Sequence, residues 1–121
     1  MIINPDNIIV EIKRWFTKSI LIDDVIYADT NIFKKALSIF IFDYNRYFDK
    51  SENIELSNLL ERIELQGILL YRIAREFFLI GDHNSANKIS LLGRFLSSFE
   101  IYYSSEIGRG LKINHGLGLV I

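Results

Sequence analysis

The chain has 121 residues, half of them hydrophobic, with 14 basic against 15 acidic side chains, and is long enough to bury roughly two-thirds of its unfolded surface around a single core. An aromatic content of 13% lies outside the range of disordered chains, and the near-neutral charge offers no general electrostatic footprint for nucleic acid. Cysteine is absent, which excludes disulfides, thiolate metal sites and a cysteine nucleophile, and apolar runs such as residues 36–42 are far shorter than the ~18 to 20 residues that span a membrane. The N-terminal MIINPDN has neither a basic n-region nor a cleavage site, so the chain reads as cytoplasmic.

In chain order, Asn4 before Pro5 is a sound helix start, and Ile8, Ile9, Ile12, Trp15 and Phe16 then line one face at helical spacing. The pattern weakens after Ser19 into a turn and a short helix. Asp29 or Thr30 caps a second helix to about Phe48, with Ile32, Phe33, Ala36, Leu37, Phe40, Ile41, Tyr44 and Phe48 on its buried side. FDKSEN is a polar loop with Ser51 or Asn53 as the next cap, and a third, longest helix follows to about Ile80. Gly67 is its weak interior point, marking a close helix contact, and Gly81 is its stop signal. His83, in the GDHN turn, reads as a solvated loop residue. A fourth helix spans about Ser85 to Ser97, with Ile89, Leu92, Phe95 and Leu96 as its core face.

From Phe99 onward the pattern changes. Ile101, Ile107, Ile113 and Leu119 recur every six residues, with Gly108, Gly110, Gly116 and Gly118 between them. Neither a helix nor an ordinary strand has that period. One aliphatic side chain per short unit is how a parallel β-helix is written: each unit forms a short strand, its aliphatic residue points inward, and glycines serve the turns.

The run IGRGLKINHGLGLVI resembles the start of the hexapeptide-repeat acyltransferases, and within them the serine acetyltransferases, in which an acidic residue stands before I-H-P and a D-H pair follows I-G-x-G. The similarity extends upstream through LLYRIAREFFLIGD, around Tyr71, Arg72, Ile73 and Gly81, and covers about the second half of the chain. The fold that this resemblance implies is mainly α: a four-helix N-terminal domain over residues 1–98, then the first coil of a left-handed parallel β-helix over residues 99–121. Ile101 to Gly118 would form one eighteen-residue coil, with Leu119 above Ile101. One coil leaves an unpaired edge, so the chain is read as the N-terminal fragment of a longer acyltransferase.

The chemistry that the resemblance implies is acetyl transfer from acetyl-CoA, as co-substrate, to a small-molecule hydroxyl, with no metal. His115 takes the position of the general base and Glu100 that of its carboxylate partner. Fifteen residues is three short of an eighteen-residue coil, which places the two near one prism edge about one rung of ~4.8 Å apart. A carboxylate accepting one imidazole N–H fixes the tautomer and leaves the other nitrogen free to take the acceptor's proton. The family's Asp before the histidine, an acceptor contact, is Asn114 here, and a second acidic contact falls on Asp49, followed by Lys50 and Ser51 instead of Pro-Ala. Asp49 reads equally as a plain loop residue.

Three functions remain open at this level. The leading one is a serine O-acetyltransferase, the second a sugar or polysaccharide O-acetyltransferase of the same fold, favoured by the charge lost at Asn114, and the third a non-catalytic helical oligomerisation module. The family forms trimers, or dimers of trimers, and binds acetyl-CoA between neighbouring β-helices, so residues 1–121 alone are expected to be inactive. GRG and GLG are β-helix turns in this reading and not a phosphate-cradling loop, which would need a strand before and a helix after.

Overall fold

The computed structural model describes residues 2–3, 8–12, 14, 30–48 and 53–121. The described chain is mainly helical. A two-stranded antiparallel pair, β1 (Ile2–Ile3) with β2 (Ile54–Glu55), sets Ile2 opposite Glu55 and Ile3 opposite Ile54. Residues 8–12 and 14 are helical (α1), and Ile8, Ile9 and Ile12 are buried as their spacing predicts. Trp15, Phe16 and the weakly patterned stretch after Ser19 lie outside the described residues.

Helix α2 (Thr30–Tyr44) buries Phe33, Ala36, Leu37, Phe40 and Tyr44. It ends four residues before the predicted Phe48, because Arg46 and Tyr47 donate to the carbonyls three residues back, on Asp43 and Tyr44. Those tighter i→i+3 bonds close the helix into a turn and swing Tyr47 out of the helical row.

The single long helix expected next is two helices, α3 (Leu56–Glu61) and α4 (Ile63–Leu79), broken at Arg62 in extended backbone (φ −120°, ψ 105°). Neither glycine nor proline marks the break. It is supported by Gln66, whose side-chain amide donates to the Leu59 and Leu60 carbonyls at 3.2 and 3.1 Å, and by the Arg62 guanidinium, which lies over the Tyr47 and Phe48 rings. Gly81 is the predicted stop: at φ 86° it donates to Phe78, while Asp82 donates to Phe77, the paired bonds of a left-handed glycine cap.

Helix α5 (His83–Ser97) begins two residues before the expected Ser85. Asp82 is its cap, with Oδ1 accepting from the Ser85 N–H at 3.0 Å. His83 is therefore the first residue of a helix, exposed, with its ring stacked on Phe78.

Helix α4 is the centre of the molecule. It packs against both α2 and α5, and Leu65, Ile68, Leu69, Leu70, Ile73, Ala74 and Phe77 are buried along it. The close contact expected at Gly67 is present: a Cβ there would collide with the Phe99 ring and stand 2.6 Å from Ser97 Cβ.

Ser98, in left-handed backbone at φ 63°, ends α5 and turns the chain into a tail, residues 98–121, that returns beside its own start. Gly118 donates to Ser98, Glu100 to Leu119, Ile121 to Glu100 and Tyr102 to Ile121, all at 2.9 Å, so that Glu100 pairs in parallel with Val120. The expected register set Leu119 beside Ile101; the observed one needs two further residues, with a turn closed by the bond from Ser105 to Tyr102 lying in between. The six-residue repeat nonetheless faces inward: Ile101 and Ile113 are buried, and Ile107 and Leu119 are half-buried against the same core.

Candidate functional site

The tail has one β-bridge of its own, and ten of its backbone N–H and C=O groups between residues 103 and 113 are met by side chains of α2, its following turn and α4. Asp43 sits three residues after Phe40 and seven after Ala36, on the buried stripe of α2, and is fully buried. Arg72 holds the equivalent position on α4, three and four residues after Leu69 and Ile68, and is 5% exposed. A buried carboxylate is tolerated when it is paired and hydrogen-bonded, and both oxygens of Asp43 are. Arg72 Nε donates to Oδ2 at 2.8 Å and Nη2 to Oδ1 at 2.9 Å, a two-pronged pair. Both groups also bind the tail: Oδ1 accepts the Gly110 and Leu111 N–H groups at 3.0 and 2.7 Å, while Nη1 and Nη2 donate to the Ile107 and Gly108 carbonyls at 2.8 Å.

Two tyrosine hydroxyls repeat this device on either side. Tyr71 donates to the Ser105 carbonyl and accepts the Ile107 N–H at 3.3 Å. Tyr47 donates to the Ile113 carbonyl and accepts the Ile113 N–H, both at 2.7 Å. Burial is the chief reason that both hydroxyls titrate above the usual tyrosine value, partly opposed for Tyr47 by its bond to Ile113 and for Tyr71 by the charge of Arg72. They stay protonated, and able to donate, throughout the physiological range. Arg75 adds a bond to the Tyr103 carbonyl at 3.1 Å, and Arg46 one to Gly110 at 3.3 Å. No buried side-chain nitrogen or oxygen among the described residues lacks a partner.

This docking fixes the place of the predicted site residues. Asn114 and His115 follow directly after the Tyr47 anchor, and both are exposed. The imidazole has no hydrogen-bond or ion-pair partner among the described residues. Behind it, Gly116 is buried against Phe99, whose ring a Cβ at Gly116 would meet at 2.6 Å. Glu100, next to Phe99, is half-buried, and its carboxylate lies 3.8 Å from Arg94 Nη1. Phe99, the chain neighbour of Glu100, thus packs on Gly116, the chain neighbour of His115, and no hydrogen bond or ion pair joins the carboxylate and the imidazole. Asp49 lies outside the described residues. No group of three or more His, Cys, Asp or Glu able to hold a metal, and no helix long and apolar enough to cross a membrane, is found among the described residues.

Sequence reasoning missed Asp43 and Tyr47. The signal available for Asp43 was a lone acid on the apolar period of α2, since an ionised side chain at such a position demands a buried partner. Tyr47 carried no local signal: its partner lies 66 residues away.

Comparison with known proteins gives a serine acetyltransferase of Helicobacter pylori strain 26695, 40% identical over 62 residues, which are 47% of this chain and 33% of that protein. A serine acetyltransferase of Synechocystis sp. strain PCC 6803 is 35% identical over 57 residues, covering 47% of this chain and 23% of that protein. The matched stretch therefore spans a third or less of these curated relatives. No family model matches the chain, and no solved structure does. The similarity to serine acetyltransferases inferred from the glycine-rich repeat is thus found independently in whole-sequence comparison, over about half of the chain.

Proposed function

We propose, from this similarity to serine acetyltransferases, that the chain supplies the helical domain (residues 1–98) and the first left-handed β-helix coil (residues 99–121) of an acetyl-CoA-dependent O-acetyltransferase, in which His115 is the general base. The observation that carries the reading is an exposed imidazole, without a partner among the described residues, in a tail whose backbone is fixed on both sides of it. His115 would take the proton of the acceptor hydroxyl as its oxygen attacks the thioester carbonyl of acetyl-CoA. Collapse of the tetrahedral intermediate breaks the carbon–sulfur bond, and the imidazolium returns the proton to the departing thiolate, giving the O-acetyl ester and free CoA. No metal enters this scheme.

Glu100 would orient the imidazole once its carboxylate turns from the exposed Arg94, a long ion pair at 3.8 Å that offers little resistance. Asn114 and Asp49 would face the acceptor. L-serine is the acceptor that the relatives' name suggests. A sugar hydroxyl is the second reading, favoured by Asn114, which presents no negative charge to an amino group. In this reading the protein is cytoplasmic and assembles as a trimer or a dimer of trimers, and residues 1–121 alone do not turn over.

The experiment is an assay of CoA release by a longer protein carrying this chain, with acetyl-CoA and either L-serine or sugar acceptors, beside its His115→Ala variant. Acceptor-dependent release that falls by about 10²-fold or more in the variant supports the reading. Release unchanged by His115→Ala refutes it, and turnover by residues 1–121 alone refutes the expectation that this chain is inactive by itself.

A further inference from the structure

We infer that Tyr47 is a positioning residue for His115, holding the loop that carries the imidazole against the helical body in concert with the Phe99 ring. The inference rests on the reading of His115 as a base, but its geometry stands apart from that reading. Tyr47 Oη takes both polar backbone groups of Ile113, the N–H and the carbonyl, each at 2.7 Å. Ile113 itself is buried. Two residues later comes His115, and the next, Gly116, is pressed on Phe99, which fills the space between Gly116 and Gly67 of α4. Only Asn114 and His115 lie between these anchors, and both are exposed. Three peptide units span at most ~11 Å, so a loop fixed at both ends has little freedom to wander.

The Tyr47 ring is itself held. The Arg62 guanidinium stands 5.9 Å from its centre and the Lys112 ammonium 5.4 Å, contacts that favour a fixed ring orientation. The helical break at Arg62 thereby acquires a use, since it brings a cation from the start of α4 to the residue that fixes Ile113. Proton transfer demands that the base lie within hydrogen-bond reach of the acceptor, and an error near 1 Å costs about 10²-fold in rate. The helical body on this account sets the aim of the imidazole, a role distinct from oligomerisation.

Tyr47→Phe tests this, because phenylalanine keeps the ring and deletes only the hydroxyl. In the 121-residue chain, amide exchange at Ile113 should accelerate about tenfold relative to Gly110 and Leu111, which Asp43 holds. In a longer, active protein carrying this chain the same change should lower kcat about tenfold or more while leaving KM for acetyl-CoA in place. Unchanged exchange at Ile113 overturns the inference whatever the activity. Faster exchange with an unchanged kcat overturns the positioning role, as does an equal fall in kcat from Tyr71→Phe, which would signal general loosening of the tail. If His115→Ala leaves the rate untouched, the base assignment fails, and the exchange result still decides whether Tyr47 holds the loop.

Discussion

The helical body and the tail are stabilised by opposite means. In α2, α4 and α5 the backbone satisfies itself, and the elements join through apolar stripes packed around α4. In the tail the backbone pairs with itself in the short ladder between residues 98–102 and 118–121 and in two turn bonds, Ser105 to Tyr102 and Leu119 to Gly116. Its middle is held by Asp43, Arg72, Tyr71, Arg75 and Tyr47, polar side chains borrowed from the helices. The body therefore tolerates small losses of volume, whereas the tail depends on a few groups whose removal leaves others buried without partners.

Asp43→Asn breaks this comparison most severely. It removes one charge from a buried pair and leaves the Arg72 guanidinium uncompensated, at a cost of about 3–5 kcal/mol, a large share of the 5–15 kcal/mol typical of a whole domain. Denaturant unfolding measures it, and Ile73→Val in the body, at about 0.5–1.5 kcal/mol, is the reference. A larger loss from Ile73→Val than from Asp43→Asn would invert the contrast.

Gly67→Ala sharpens the boundary between the two regions. Alanine would favour the helix by roughly 1 kcal/mol, but its methyl group meets Phe99 and Ser97, and overpacking of this kind costs about 1–3 kcal/mol. A net loss of stability is expected, with a lowered melting temperature as the readout. A stabilised variant would mean that the Phe99 wedge is not tightly held.

The tyrosine anchors add a dependence on pH. Both hydroxyls titrate above the ordinary value of about 10, so the folded chain keeps protons that the unfolded chain releases. Their contribution is complete below about pH 10 and is lost as pH rises through the elevated folded values. Tyr47→Phe should cost about 0.5–1.5 kcal/mol per hydrogen bond at neutral pH and flatten the alkaline fall in stability. An alkaline limb identical to that of the unsubstituted chain would contradict the burial of that hydroxyl. The smallest effect is expected at Ser98, the one described non-glycine residue with positive φ. Ser98→Gly relieves that backbone and should raise stability by up to about 1 kcal/mol, again by thermal unfolding.

How far the sequence reveals this architecture follows from the same division. Period alone identifies the buried faces of α2 and α4 and most of that of α5, where Phe95, expected in the core, is instead 85% exposed, and Gly81 announces its cap, because those signals are local. The break at Arg62 is hidden: it depends on Gln66 reaching back to α3 and on two aromatic rings of the preceding turn, neither visible in a run of good helix formers. In the tail, the sixfold aliphatic repeat correctly predicts which side chains turn inward, yet the return register differs by two residues from the expected one, with the turn closed by Ser105 and Tyr102 lying in between. His115, Asn114 and Glu100 are picked out by their motif positions. The groups that hold the tail in place are not, since Asp43 and Tyr47 sit in α2 and its turn, and their partners lie 66 to 68 residues further along the chain.

Buried polar side chains of the helical body, with the Asp43–Arg72 pair at their centre, fix the glycine-rich tail. Amide hydrogen exchange at Gly110 and Leu111 tests it most directly, because both N–H groups point at one carboxylate oxygen of Asp43 and at no backbone partner. Protection comparable to that of core amides in α4, lost in Asp43→Asn, is expected. Exchange at the rate of an unstructured peptide in the unsubstituted chain would contradict it.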